Sequence, residues 1–455
     1  MQADGNIAAL LGDYSVSLGA FSAAAMERAR LLTTGLPLAS LAGKSALARE
    51  VDILVHRLAQ HGLLEYRLCS PRDEQDLAVI EPQIPEYWPR LAKLGESDTL
   101  VLSRFAYLRR RGNEMVLESP RAGALFRIND PAIAATLCAL SRPQELSKLR
   151  RHAASFIDLA ALLLDCQILL KLSRKDGDGL RLNEGDGNLV LWDFHDLVFH
   201  TRSSEGRQAN PVGGTFTYAE AVPPLPALRP PWPGTKIDLR KFSASEPISG
   251  FAKLLRERHS IRDFDDQHPV TLAELAQFLD TTARVLSQWS SGANFGPEVT
   301  YSTRPYPSAG SAYELELYLA VSNCEGLARG LYHYDAGGHA LVAIGASAEQ
   351  LQTLSTAAEF AMDAPGPPQV LITIAARFGR ISWKYSSIAY SLILKDVGAM
   401  IQTFYLAATD MGLGGCAIGT TNIDLFAKIT GLEFHVESPV GQFALGRGKT
   451  ALTSN

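Results

Sequence analysis

Arg258-His259-Ser260-Ile261-Arg262-Asp263-Phe264 sets two arginines and a serine at alternate positions, so in an extended turn all three side chains face one way. Two guanidinium forks and a hydroxyl on one face suit a phosphate and the acceptor-rich edge of a ring. Working outward, residues 251–258 read as a helix, and Thr271 with Glu274 three positions on marks a capping box for a second over 272–282. Leu315, Leu317 and Leu319 alternate with charged or aromatic residues, which predicts a half-buried strand over 314–321. Residues 330–344 give two strands around Asp335-Ala336-Gly337-Gly338, a hairpin signal, and 369–375 a further strand. Ile393, Val397, Met400, Ile401, Phe404, Ala408 and Met411 keep helical spacing and stop at Gly412; a last strand falls at 440–445. This order predicts an α+β domain.

Four further stretches carry chemistry. Pro307-Ser308-Ala309-Gly310-Ser311 offers small residues that let backbone approach a flat ring, with hydroxyls to bond it. Gly414 and Gly415, after the long helix, read as a turn presenting bare amides. Arg447, in Leu445-Gly446-Arg447-Gly448-Lys449, is a further phosphate ligand candidate. Trp383-Lys384-Tyr385 places a lysine beside a tyrosine just before the helix, a candidate proton-transfer pair.

In their order and spacing, these motifs resemble the nitroreductase-like FMN family, most closely the SagB-type dehydrogenases, which include the thiazoline and oxazoline oxidases of azole and cyanobactin peptide biosynthesis. The resemblance covers about Trp192 to Lys449 and includes the aromatic segment Trp192-Asp193-Phe194-His195. It implies a central antiparallel sheet of four to five strands flanked by helices, and a homodimer with FMN at the subunit interface. Carried onto this chain, the FMN contacts would be Arg258, Ser260, Arg262, Pro307, Ser308, Ala309, Gly310, Gln402, Gly414, Gly415 and Arg447. Ser311 and Ala312 stand where nitroreductases proper tend to carry an asparagine, which speaks against simple nitroreduction. The resemblance makes Lys384 and Tyr385 catalytic. An azoline in a peptide aromatises by losing a hydride, here to flavin N5, and the acidic Cα proton, so a base is required. Lysine and tyrosine have reference pKa values of about 10.4 and about 10, and burial or a neighbouring ammonium can bring either towards neutrality. Either Tyr385 or Lys384 could take the proton. No GxGxxG fingerprint is present, so O2 is the expected reoxidant. The substrate would be an azoline-containing ribosomal precursor peptide, and a cyclodehydratase a further partner. The rival readings are an NAD(P)H-dependent flavin nitroreductase acting on small molecules and a peptide-binding scaffold with a vestigial flavin site.

Ahead of this domain, six prolines between 219 and 233 make a stiff connector. We expect two small winged-helix modules at 1–95 and 96–185, a connecting segment at 186–248 and the FMN domain at 249–455. The second module opens with strands at 101–109 and 114–119 separated by an arginine-rich turn, followed by helices at 131–140 and 156–164. This order resembles PqqD-type peptide-recognition modules, whose exposed strand edges accept a peptide.

Composition bounds the alternatives. A net charge of −5 gives no global pull toward nucleic acid or anionic lipid, and Arg109, Arg110 and Arg111 are the one dense basic cluster. Five scattered cysteines without a CxxC pair argue against zinc or a disulfide framework. His195 and His200, five apart without carboxylate partners, make a poor metal site. No signal peptide or membrane span is visible, and the expected location is the cytoplasm.

Overall fold

The computed structural model describes the chain apart from residues 1–5, 12–13, 42, 70–75, 85–86, 150–155, 173–183, 185–186, 208–212, 215, 232, 243–247, 293–296 and 450–455. Residues 1–4, read above for a targeting signal, lie outside the described residues. The chain forms two compact units. One takes residues 1–190 with 197–202 and 206–209, the other 191–196, 203–205 and 210–455.

The front unit begins with a hairpin, β1 (Asn6–Leu11) and β2 (Tyr14–Ala20), and two helices, α1 (Ala23–Arg30) and α2 (Ala46–Gln60). α2 buries Val51, Leu54 and Val55, three positions of the helical stripe. Strands β3 (Tyr66–Cys69), β4 (Asp76–Pro82), β5 (Thr99–Leu102), β6 (Tyr107–Arg111), β7 (Glu114–Glu118) and β8 (Ala124–Ile128) follow. Five of them make an antiparallel sheet in the order β3-β4-β8-β7-β6, so strands from both sides of residue 95 share one sheet. The expected single strand at 101–109 is broken at 103–106. Phe105 is fully buried there, and the Arg104 N–H donates to Glu184 Oε1 at 2.8 Å. That break lets β5 join a second sheet, β10-β5-β9, with β9 (Gln144–Glu145) and β10 (Leu169–Leu172). Helices α3 (Pro131–Ala139), α4 (Leu146–Leu149) and α5 (Phe156–Asp165) pack Leu137, Leu146, Leu159 and Leu163 into a core with Leu100, Leu117 and Phe126.

The arginine triplet belongs to strand β6 rather than to a turn. The turn is Gly112-Asn113, where Gly112 takes a φ of +60°. Arg111 pairs with Glu81 at 2.6 Å and Glu114 at 3.2 Å, Arg109 with Glu118, and Arg127 with Glu65 at 2.8 Å. Two of the three arginines are thus claimed by carboxylates of the same unit.

Helix α6 (Phe194–Arg202) carries both histidines of the connecting segment. His200 is fully buried, which pushes its imidazole down to about 3, with Arg207 adding to the shift. His195 is exposed beside Asp193. Among the described residues no cluster of metal-binding side chains forms, and no helix is long and apolar enough to cross a membrane.

The second unit is built on a six-stranded antiparallel sheet in the order β15-β14-β13-β16-β18-β17. Its strands are β13 (Leu315–Val321), β14 (Gly330–Asp335), β15 (Ala340–Ile344), β16 (Val370–Arg377), β17 (Gly414–Ile418) and β18 (Glu437–Gly446). A separate hairpin, β11 (Ser287–Ser290) with β12 (Thr300–Thr303), precedes them. The helices are α7 (Gly250–Glu257), α8 (Leu272–Ala283), α9 (Ala348–Met362), α10 (Phe378–Ser382), α11 (Ala389–Asp410) and α12 (Ile423–Thr430). Central β16 is buried at seven successive positions, as a strand covered on both faces must be. Leu351 of α9 and Phe426 of α12 pack with Tyr318, Leu371 and Ala444 on one face. On the other, Phe404 of α11 lies 5.3 Å from Phe278 of α8 and 5.4 Å from Phe443 of β18, ring centre to ring centre. The capping box on α8 forms as the sequence predicts. Trp192 is buried, donates its indole N–H to the His435 carbonyl at 2.7 Å and sits against Phe378.

The sheet has one strand more than expected because Gly414 and Gly415 begin β17. The turn is Gly412, with a φ of +68°. Both glycines are required by packing: a Cβ at Gly414 would run into Ile261, and one at Gly415 into the ring of Phe443. Gly415→Ala should therefore lower stability by about 1–3 kcal/mol, the usual cost of overpacking a close-packed site. A urea-unfolding midpoint equal to that of the wild type would refute this packing role.

Candidate active site

α10 ends at Ser382, and the chain turns through Trp383, Lys384 and Tyr385 before α11 begins. The turn closes on Ile381, whose carbonyl accepts from Lys384 N–H at 3.0 Å and Tyr385 N–H at 2.9 Å. Lys384 Nζ donates to the Gly310 carbonyl at 3.1 Å and lies 5.3 Å from the centre of the Tyr301 ring. Gly310 itself is left-handed (φ +56°), and a Cβ there would strike both the Tyr385 hydroxyl and Lys384 Nζ. A side chain at 310 is excluded twice, by backbone conformation and by space. The structure thus brings together the loop at 307–310 and the Lys384-Tyr385 pair, two motifs more than seventy positions apart.

The loop is held from beneath. Asp396, on the buried side of α11, accepts from the Ala309 N–H at 2.8 Å and from Ser308 Oγ at 3.0 Å. Ser308 Oγ also lies 3.2 Å from Glu314 Oε2 and accepts from the Tyr313 N–H at 2.9 Å. Glu314 is completely buried; that burial, and then the nearness of Asp396, pushes its carboxyl up to about 7. From the side, the Arg380 guanidinium donates to the carbonyls of Ala312 at 2.8 Å and Thr300 at 2.6 Å, tying the loop to hairpin β11–β12. On that hairpin Trp289 stacks on Tyr301, with ring centres 5.6 Å apart and planes inclined by 23°.

The stretch at 258–264 runs beside β17, where Ile261 N–H donates to the Gly415 carbonyl at 2.9 Å. Tyr405 of α11 organises it. Its hydroxyl accepts from the Ala417 N–H at 2.8 Å and bonds Ser260 Oγ at 2.8 Å, and the Arg258 guanidinium lies 4.9 Å from its ring centre. Arg258 is half-buried and Arg262 exposed, and neither pairs with a carboxylate among the described residues. Arg447 differs. Its Nη2 forks onto both oxygens of Glu274 at 2.7 and 2.8 Å and its Nε donates to the His268 carbonyl at 3.1 Å. Gln402 is an exposed residue of α11.

Sequence reasoning missed Glu314, Asp396, Tyr301, Trp289, Arg380 and Tyr405. Asp396 had a signal: an acidic residue three positions after Ile393 and one before Val397 falls within the apolar stripe of α11. A cavity of about 1080 Å³ opens between α9 and the end of β17, lined by Glu205, Gln352, Thr356, Phe360, Ala417 and Gly419. None of the predicted site residues lines it.

Residues 255–447 match the model of the nitroreductase family, and residues 100–209 that of the cyanobactin oxidase ThcOx. A putative nitroreductase of Methanocaldococcus jannaschii, MJ1384, is 32% identical over 166 residues, which span 36% of this chain and 76% of that protein. Among solved structures, a putative nitroreductase from Ralstonia eutropha JMP134 aligns at 24% identity over 46% of this chain and 88% of its own, with a TM-score of 0.34. The Escherichia coli microcin synthetase McbBCD complex with truncated pro-MccB17 bound aligns at 19% identity over 58% of this chain and 96% of that one, with a TM-score of 0.40.

The Arg447–Glu274 fork should be measurable apart from any ligand. Alanine substitutions at Arg447 and Glu274, singly and together, should give a coupling of about 0.5–1 kcal/mol in chemical unfolding, as for a well-aligned, partly exposed pair. Strict additivity would mean that the fork contributes nothing and that Arg447 is available for another partner.

Proposed function

The chain belongs to the nitroreductase family, and on that premise we propose that it is an FMN-dependent oxidase converting thiazoline or oxazoline rings of a ribosomally made precursor peptide to thiazoles or oxazoles. The observation that carries this reading is the convergence of Lys384 Nζ and the Tyr385 hydroxyl on Gly310, which leaves an amine and a phenol side by side on a glycine-lined surface. Residues 100–209, alike to the cyanobactin oxidase model, support a peptide rather than a small molecule as substrate.

The residues present fit FMN. Arg258 and Arg262 are guanidiniums with no carboxylate of their own among the described residues, as a phosphate site needs. The small residues Ser308, Ala309 and Gly310 leave room for a flat ring close to the backbone. When bound, FMN supplies a two-electron hydride acceptor that molecular oxygen reoxidises. The rest is the work of this chain. Aromatisation removes one hydride and one proton from the azoline, and the proton at Cα passes to Lys384 or Tyr385. The Gly310 carbonyl holds one hydrogen of the Lys384 amine and so fixes the direction of its remaining valences, with Nζ 5.3 Å from the centre of the Tyr301 ring. In such a pair one member takes the proton and its neighbour stabilises the change in charge.

The homodimer belongs to the same proposal. α7 leaves Phe251 and Leu255 exposed at 61% and 45%, and Ile388 beside the Lys384-Tyr385 turn is 51% exposed, which suits coverage by a second copy. The front unit would hold the precursor peptide, a cyclodehydratase would supply the azoline, and five cysteines that form no disulfide suit work in the cytoplasm.

Purified protein should be yellow and remove 2 Da per ring from an azoline peptide under air. NAD(P)H oxidation with no change in the peptide would replace this reading by a small-molecule reductase. Lys384→Ala and Tyr385→Phe should each lower azole formation by about 10²–10⁴-fold while FMN stays bound. Gly310→Ala should do likewise by displacing both groups. Arg258→Ala and Arg262→Ala should instead weaken FMN itself, by about 10–100-fold in Kd at the strength of a charge-assisted hydrogen bond. Azole formation at wild-type rates by both the lysine and tyrosine variants would sink the catalytic assignment.

A further inference from the structure

We propose that Glu314 and Asp396 form a buried carboxyl pair sharing a single proton, and that this pair positions Lys384 through the loop at 308–310. The inference rests on the site read above, although its first measurement needs no substrate.

Hydrogen counting supplies the argument. Ser308 Oγ has one hydrogen and two carboxyl neighbours, Asp396 Oδ2 at 3.0 Å and Glu314 Oε2 at 3.2 Å, and its lone pairs already receive the Tyr313 N–H. It can satisfy only one carboxyl. The two carboxyls thus meet on one hydroxyl that has a single hydrogen to give. Glu314 is 0% exposed and Asp396 7%, and no lysine or arginine forms an ion pair with either among the described residues. Two bare carboxylates in such a place would repel each other at short range with nothing to offset the charge. Among the described residues Glu314 Oε1 has no hydrogen-bond partner. Ser308 bonds Glu314 directly, and Asp396 shares that hydroxyl. Arg304, Tyr313 and Glu316 lie around Tyr306, the buried phenol that also senses Glu314.

The pair acts on the site through a short chain of bonds. Asp396 Oδ2 takes the Ala309 N–H at 2.8 Å, and the carbonyl of the next residue, Gly310, takes the Lys384 amine at 3.1 Å. While one proton is shared, Ser308 and Ala309 are held and the Gly310 carbonyl faces Nζ. Loss of that proton puts a second negative charge on the pair and loosens the Ser308 contact, so the amine loses its acceptor. Glu314 and Asp396 are positioning residues in this scheme; neither needs to touch substrate.

The sign of the stability effect follows from the raised Glu314 carboxyl. The folded state keeps a proton up to about pH 7 that the unfolded chain, at its ordinary value of 4.5, has released. Stability from this group therefore falls as pH rises from about 4.5 to about 7, and is level above that. Glu314→Gln keeps the shape and removes the titration. The test compares full-length wild type and E314Q in two readouts: the slope of Tm against pH between 4.5 and 7.5, and the rate at which a soluble acylating reagent modifies Lys384, followed by peptide mass spectrometry between pH 6 and 8. We expect a steeper fall of Tm in the wild type, and a rise in Lys384 acylation across pH 7 at least two-fold greater than in E314Q. Ser308→Ala should raise Lys384 acylation at every pH. Equal Tm slopes in the two proteins would overturn the shared proton. Unequal slopes with parallel acylation profiles would overturn the link to Lys384. Should E314Q not fold, Asp396→Asn gives a second comparison: Glu314 stays buried but loses its charged neighbour, so the fall of Tm should move to lower pH, and an unchanged Tm profile would overturn the shared proton. An absence of azole formation by the wild type would count against the proposed reaction and leave both readouts standing.

Discussion

The site depends on one buried acceptor. Asp396 can reach the Ala309 N–H and Ser308 only because α11 lies flat on the sheet, with Ile393, Val397, Met400 and Phe404 fixing its rotation about its own axis. A helix whose apolar stripe fixes its facing also fixes whatever polar residue is embedded in that stripe. Here the embedded residue is a carboxylate that grips a loop. The same helix brings up Tyr405, whose hydroxyl organises Ser260 and the Ala417 amide. One packing interface thus sets both the loop that faces Lys384 and the turn that carries Arg258.

Glycine has two kinds of role in this unit, and they separate on what a Cβ would meet. At Gly414, Gly415 and Gly446 it would meet apolar or buried side chains: Ile261, Phe443, and Phe264 with Gln369. Those glycines let neighbouring segments close on the sheet edge. At Gly310 it would meet the reactive ends of a lysine and a tyrosine. The first three serve the core, while the fourth lets the ends of Lys384 and Tyr385 approach the loop, and only three-dimensional placement distinguishes them.

Much of the second unit is legible in the sequence because its signals are local. The Thr271–Glu274 capping box, the alternating leucines of β13 and the stripe of α11 each state a periodicity that the fold then obeys. The strand β17 was not legible. Two glycines at its start imitate a turn, and what makes them a strand is Phe443, 28 positions further along the chain. The arginine triplet at 109–111 misled for the same reason. Its carboxylates arrive from two other strands of the sheet, Glu81 from β4 and Glu114 and Glu118 from β7. The link between Gly310 and Lys384 was legible only as two motifs, not as a contact. Glu314, at the foot of an alternating strand, carried no mark of its burial.

The arginines of the candidate site show how far a motif can be taken by itself. Arg258, Arg262 and Arg447 are chemically identical candidates for a phosphate, and in sequence nothing ranks them. In the structure, Arg447 is closed in a fork on Glu274, which also caps α8, so freeing it would cost both the ion pair and part of a helix cap. Arg258 has only an aromatic ring beneath it. A cation on a ring keeps its donors, since the π face takes charge without occupying an N–H, whereas a carboxylate fork consumes them. Availability of donors, rather than the presence of positive charge, is what distinguishes a ligand site from a structural pair. By that criterion Arg258 and Arg262, on the turn beside β17 that Tyr405 holds in place, keep donors that Arg447 gives to Glu274.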